Sequence, residues 1–386
     1  MKTHSRWLFV LALVLAAINL RPGLTSFAPL IERIAQELDL SRSVISLTTA
    51  LPVLLMGLLA PLAPRLAVRI GLERAITLCM ALIAVALALR AIGHIAPLLI
   101  ATAGLLGAGI AVAGPLLSGF IKRYFSDRIG TAGAWYSLCM TIGGTAGVVF
   151  TVPATQLLGD DWGLGLAVWF VPAAIALAVW LKVPAAGEPA GQQQGGLPWR
   201  QPRAWLISLY FALQAGLFYG LATWLVARYH EAGFSLLESN AFFSGFMLVG
   251  LPASFLMPWL AQRFGRRHWL MVACGVVATL CLAVITWLPA FSPVAICMLL
   301  GVALNGTFSL SLILPMYEAA TPLDVSRLTA MMLCTGYCLA CFSPVLTGFG
   351  RDLGGDYRLP FTALTLASAT MIVLASRLGP RRTAVR

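Results

Sequence analysis

Charge is scarce in this sequence. Of its 386 residues, 10% are Asp, Glu, Lys or Arg, whereas 60% are hydrophobic. A soluble globular chain carries about 25% charged residues, so most of this surface cannot face water and a soluble enzyme is excluded. Acid is rarer than base, with 14 Asp and Glu against 26 Lys and Arg, and there are only four His. No cluster of carboxylates and imidazoles forms that could do acid–base or metal chemistry, which argues against a polytopic membrane enzyme. Eight Cys are too few for a disulfide scaffold of this length. Cys334, Cys338 and Cys341 share one helical face at i, i+4 and i+7, but a zinc-type site needs four N or S ligands and nothing completes this one. No metal and no cofactor is therefore expected. A P-loop is also missing, which excludes ATP-driven transport by this chain alone.

Long apolar runs are what the sequence does have. About twelve stretches reach the roughly 20 residues that a bilayer-crossing helix needs: 7–30, 43–63, 75–93, 97–121, 130–158, 163–182, 204–227, 240–260, 268–288, 293–317, 327–348 and 359–376. Gly and Ala interleave with Leu and Val at helical period, without the dyad alternation of a transmembrane barrel. The expected class is an all-α membrane protein of twelve transmembrane helices in a lipid bilayer. With the N-terminus placed inside, most Lys and Arg fall in the inner segments, among them Arg65, Arg69, Arg74, Lys122, Arg123 and Arg128. Arg33, Arg42, Arg90, Arg228, Arg351 and Arg358 fall outside. That bias predicts cytoplasmic N- and C-termini. It makes the net charge of +12 a topology signal and leaves no reason to expect a nucleic-acid partner.

The longest polar stretch, Pro184 to Arg203, is rich in Gly, Pro and Gln and reads as a linker. It divides the chain into an N-terminal six-helix bundle (1–183), a cytoplasmic linker (184–203) and a C-terminal six-helix bundle (204–386). The halves match in order. Pro64-Arg65-Leu66-Ala67-Val68-Arg69-Ile70-Gly71 recurs as Pro258-Trp259-Leu260-Ala261-Gln262-Arg263-Phe264-Gly265, Gly107 falls on Gly301, and Leu158-Gly159-Asp160-Asp161-Trp162 recurs as Leu353-Gly354-Gly355-Asp356-Tyr357. A duplicated six-helix unit is the plan of alternating-access transporters, in which the halves rock about a midplane site.

The basic loop after spans two and eight, with Arg69, Gly71, Arg263 and Gly265, resembles the gating signature of the major facilitator superfamily. The acidic position of that signature holds Val68 in one copy and Gln262 in the other. A narrower resemblance rests on Asn19-Leu20-Arg21-Pro22-Gly23-Leu24-Thr25-Ser26, Leu47-Thr48-Thr49-Ala50-Leu51-Pro52, Ile121-Lys122-Arg123-Tyr124-Phe125 and Pro202-Arg203-Ala204-Trp205. These runs are similar to the cyanate permease branch, which also includes 2-nitroimidazole exporters. The resemblance implies a permease of a bacterial inner membrane for a small anion or polar nitrogen compound. The other reading it leaves is an exporter of nitroimidazole-type or other toxic molecules.

All 14 acidic residues fall in or beside loops, and Glu318, at the inner end of span ten, is the nearest candidate for proton coupling. Arg21 is the one basic residue placed away from a span's edge. At 1.5 Å per residue it lies on the order of 13 Å from the outer end, where an Arg costs at least about 2.5 kcal/mol. Facing a central cavity, its planar fork of donors suits a carboxylate, cyanate or nitro group. Snorkelling to the outer interface is the alternative. Asn19, Gln214 and Asn305 lie deep in spans one, seven and ten, and could bond a ligand or join helices. Tyr219, Tyr337, Trp135 and Tyr136 could wall a pocket for a flat solute or anchor an interface. A channel would need charged rings or repeated subunits, and one Arg makes no ring. The expectation is a monomeric transporter of a small anionic solute, with Arg21 as anchor.

Overall fold

The computed structural model describes residues 3–39, 42–92, 94–185 and 196–379. Among them there is no strand. The helices run α1 (Thr3–Asn19), α2 (Pro22–Thr25), α3 (Ile31–Glu37), α4 (Arg42–Leu58), α5 (Leu62–Ile70), α6 (Leu72–Leu89), α7 (Ala96–Tyr124), α8 (Ile129–Leu157) and α9 (Trp162–Ala167). They continue with α10 (Phe170–Trp180), α11 (Pro202–Glu231), α12 (Leu236–Leu248), α13 (Gly250–Phe264), α14 (Arg267–Trp287), α15 (Pro293–Glu318), α16 (Pro322–Ala340), α17 (Ser343–Gly354) and α18 (Arg358–Arg377). Among the described residues, eleven segments are long and apolar enough to cross a membrane, and the bent pair of α4 and α5 makes a twelfth.

Local chemistry sets the ends. Pro202 opens α11 at its first turn, where the missing N–H costs nothing. Ser235 and Glu238 form a reciprocal capping box at the start of α12. The two apolar arms of span two meet at 63°, and Pro61 stands at the joint.

Two expectations need correction. The basic signature read as a loop is helical: Pro64–Arg69 lies inside α5, and Pro258–Arg263 lies inside α13. Arg69 and Arg263 are exposed in the last turns, where a cation complements the helix dipole. Gly71 (φ 88°) and Gly265 (φ 63°) then end the helices in conformations that L side chains resist. Span three ends early, at Leu89, and Arg90 is buried at 3% exposure. Most of the middle of the Pro184–Arg203 linker lies outside the described residues.

The chain divides into two compact units, Met1–Pro198 with Pro315–Cys334, and Trp199–Leu314 with Thr335–Arg386. One packing contact occurs in each. In the first unit Gly107 of α7 lies against Pro52 of α4, where a Cβ would fall 2.6 Å from the Pro52 Cα. In the second unit Gly301 of α15 lies against the Phe246 carbonyl of α12. Both partners are 194 positions apart in sequence. Removing the Cβ lets the helix backbones approach closely.

Also in the first unit, Glu73 is 1% exposed. Its Oε1 accepts from Arg123 Nη1 at 2.9 Å and from the Tyr124 hydroxyl at 2.8 Å. Lys122 Nζ donates to the Met316 carbonyl at 3.0 Å, and Gly119 packs on Ser326 and Pro322.

Candidate substrate site at the break in the first span

Span one is two helices. Pro22 has no N–H, so the Ile18 carbonyl loses its helical partner, and α1 stops at Asn19. The chain restarts at α2, where the Arg21 carbonyl accepts the N–H groups of Leu24 (3.0 Å) and Thr25 (3.1 Å). Arg21 is the residue at the joint and is half-buried. It shares a face at helical spacing with Trp7, Leu11, Val14 and Ile18, none of which is fully buried.

Three glycines of α8 hold the joint. A Cβ on Gly143 would overlap the Ile18 carbonyl, and one on Gly147 would overlap the Thr25 hydroxyl and press on Pro22. A Cβ on Gly144 would touch the Arg21 Cβ at 3.4 Å. Thr25 Oγ1 ties α2 to α8 by donating to the Gly144 carbonyl at 2.8 Å. From the other side, Arg90 Nη1 donates to the Gly23 carbonyl at 2.9 Å. The break is thus braced by span five and span three together.

The other first-unit candidates divide. Tyr136 is buried. Trp135 is 46% exposed. It edges an apolar groove of about 350 Å³ between Trp7, Val10 and Val14 of α1 and Arg128 and Thr131 at the foot of α8. Asn19 is 2% exposed and joins helices: its Nδ2 donates to the carbonyls of Leu15 (2.8 Å) and Pro172 (3.1 Å).

The candidates of the second unit have separate partners. Gln214 is 1% exposed and donates through Nε2 to the Leu304 carbonyl at 3.1 Å. Tyr337 is buried, edge-on to Phe211 at 5.6 Å. Asn305 donates to the Gly301 carbonyl at 2.9 Å and packs on Gly250. Tyr219 is half-buried and edge-on to Phe218 at 5.8 Å. Arg69, Gly71, Arg263 and Gly265 are helix ends and belong to neither cluster. The three Cys of span eleven form no disulfide, and no group of metal-ligating side chains occurs among the described residues.

Sequence reasoning missed Arg90, because a cation at the edge of an apolar run looks like a loop residue. The signal was there: Leu87-Ala88-Leu89 precedes it and Ala91-Ile92 follows it, so no polar loop marks the span's end.

The helical plan is that of a multi-pass membrane protein. Residues 8–323 match the Major Facilitator Superfamily model. The chain belongs to the Major Facilitator Superfamily, whose members are transporters and not enzymes. It is 32% identical to the cyanate transport protein CynX of Escherichia coli over 97% of both chains. It is 26% identical to the 2-nitroimidazole transporter of E. coli, over 96% of this chain and 94% of that one. In fold it is similar to the transporter FucP in the outward conformation (TM-score 0.75, 15% identity, covering 96% of this chain and 98% of that one). It is likewise similar to the human organic anion transporter MFSD10 (TM-score 0.75, 15% identity, 96% and 99%).

Proposed function

We propose that this transporter moves a small anion or compact polar nitrogen compound of the cyanate kind by alternating access, with Arg21 as the substrate's anchor. The observation that carries the reading is a permanently charged guanidinium mounted at a break within span one. A rigid, glycine-lined wall keeps that mount in place. A cation inside a membrane span is costly and is a functional candidate by default. Arg offers a planar set of donors matched to a flat or linear anion. Tyr136 and Trp135 are neighbours in sequence on the opposing helix, and Gln214, Asn305, Tyr219 and Tyr337 are the contributions proposed for the second half. The similarity to a cyanate transport protein over nearly the whole chain supports this substrate class. We place the protein in a bacterial inner membrane, on its similarity to bacterial transporters, with both termini cytoplasmic on the distribution of Lys and Arg.

A second reading, export of nitroimidazole-type compounds, draws on the similarity to a 2-nitroimidazole transporter. A nitro group and a carboxylate present the same pair of acceptor oxygens to a guanidinium.

The test is uptake into proteoliposomes, with cyanate and 2-nitroimidazole as the first solutes. A matched thermal-shift screen reads binding, because a ligand of the folded state raises the midpoint. Arg21→Ala is expected to abolish uptake and the ligand-induced shift while remaining folded. Arg21→Lys should recover little, since a point charge cannot reproduce the fork. Full transport by Arg21→Ala would remove this residue from the mechanism.

A further inference from the structure

Arg90 is a buried cation beside the break in span one. It caps α6, is 3% exposed, and donates from Nη1 to the Gly23 carbonyl at 2.9 Å. Its Nε is buried without a hydrogen-bond partner. Among the described residues no carboxylate pairs with it. Asp161 is near the same corner, since a Cβ on Gly163 would meet the Arg90 carbonyl at 2.9 Å and Asp161 Oδ1 at 3.1 Å. That carboxylate is already engaged by the Leu164 N–H (3.1 Å) and His94 (3.0 Å). The equivalent seam of the second unit is built differently. There Arg228, 4% exposed, donates to the Thr286 carbonyl at 2.8 Å and has the Glu231 carboxylate 3.6 Å away. Burying a guanidinium without a counter-charge is expensive, and an apolar side chain would fill the space at lower cost.

Gly23 is two residues from Arg21, so their Cα atoms are at most about 7 Å apart. The field of Arg90 in a poorly screened interior therefore extends to whatever Arg21 holds. We infer that Arg90 is a second, positioning cation of the anion site: its charge raises the affinity of the site for an anion, and its bond to the Gly23 carbonyl fixes the segment that carries Arg21. This rests on the reading of Arg21 as the anion's anchor. It adds that specificity for negative charge is set from span three as well as span one. A solute without charge gains nothing from Arg90, whereas a monovalent anion gains about tenfold in affinity for two unit charges separated by roughly 10 Å.

Charge and hydrogen bond can be separated at this position. Arg90→Gln keeps a donor for the Gly23 carbonyl and loses the charge. Arg90→Lys keeps the charge on a single ammonium. Arg90→Met keeps neither. Each is reconstituted in proteoliposomes, and KM and maximal rate for cyanate are measured beside the thermal-shift response to cyanate, nitrate and acetate. The expected result is a KM near the native value for Arg90→Lys. Arg90→Gln should raise KM about tenfold with maximal rate and unliganded midpoint little changed, and Arg90→Met should lose both affinity and rate.

A native KM in Arg90→Gln would overturn the inference, because the charge would then be irrelevant. If Arg90→Gln does not fold, Arg90→Lys decides: a tenfold rise in its KM overturns the inference and a native KM supports it. Arg21→Ala, measured in parallel, separates the two readings. Anion binding that survives in Arg21→Ala and weakens in Arg90→Gln overturns the anchor and keeps Arg90. Loss in Arg21→Ala with none in Arg90→Gln does the reverse. No response of the native protein to any of the anions overturns both.

Discussion

Span one and span seven occupy equivalent places in the two halves, yet one is broken and the other is not. The first stops at Asn19 and restarts at Pro22, whereas α11 runs unbroken from Pro202 to Glu231. The helices opposite them differ to match. At the 194-residue shift Gly143, Gly144 and Gly147 correspond to Tyr337, Cys338 and Cys341, and Arg21 corresponds to Ala215. Glycine on span five leaves room for a displaced backbone and a long cation. Tyr337 on span eleven is buried against Phe211 of span seven, and span seven runs unbroken. The same five-residue stretch of wall thus carries three glycines in one half and three side chains in the other. The asymmetry teaches that the charged chemistry is concentrated in the first half.

A milder version of the contrast appears where the helices end. Glu37 Oε2 accepts from Trp162 Nε1 at 2.6 Å, and Glu231, 194 positions later, accepts from the Tyr357 N–H at 3.0 Å. Each carboxylate also meets an Arg. Glu37 takes Arg33 at the surface, while Glu231 takes the buried Arg228. The brace is repeated, but only in the second half does it neutralise a buried charge.

The largest expected effect sets the two halves against each other directly. Arg21→Ala should lower uptake by at least about 100-fold, the scale of removing a charged partner from a buried contact. Gln214→Ala should lower it about fivefold, in line with a neutral hydrogen bond. Equal losses would erase the asymmetry. Next comes the wall. Gly143→Ala forces a methyl group into the Ile18 carbonyl and should cost about 1–3 kcal/mol, read as a lower unfolding midpoint, while Cys338→Ala in the second half should stay within about 0.5 kcal/mol.

The helix ends give a finer test. Gly71 sits at φ 88°, ψ 153° and Gly265 at φ 63°, ψ 10°. The first region is essentially closed to side chains, so Gly71→Asn should cost about 1–3 kcal/mol. The second is left-handed helical, which Asn tolerates, and Gly265→Asn should be nearly silent. The smallest difference lies in the braces. Glu231→Gln strips a buried Arg of its carboxylate and should cost about 1–2 kcal/mol once its partial exposure is allowed for. Glu37→Gln, in an exposed pair, should cost about 0–1 kcal/mol. The reverse order would mean that the second-half pair is solvated.

Much of this was legible in the residues. The eleven to twelve spans follow from length and hydropathy, because a bilayer imposes its thickness on the chain. Arg21 stood out because a charge inside an apolar run is rare. Its setting was less legible. Pro22 announced a break, but the sequence does not say that Gly143, Gly144 and Gly147 face it, since glycines on a helix look alike whatever they touch. Pro64–Arg69 and Pro258–Arg263 looked like loops because they are polar, yet a helix protruding beyond the apolar core is also polar. Arg90 and Glu73 were misjudged for the same reason in reverse. Their sequence positions are at span edges, and whether an edge is wet or dry depends on the neighbouring helices.

The break in span one has one further consequence, in terms of inheritance. Pro22 and Gly143 sit on different helices, but neither is free to change alone. A side chain gained at Gly143 collides with the Ile18 carbonyl, and the Ile18 carbonyl stands there because Pro22 offers it no N–H. A relative that lost the proline could straighten span one and fill the recess, and would lose the mount for Arg21 with it. Across the lineage these positions should be kept or lost as a set, so the pattern of Pro22, Gly143 and Gly147 in a related sequence should tell whether that protein still presents the cation.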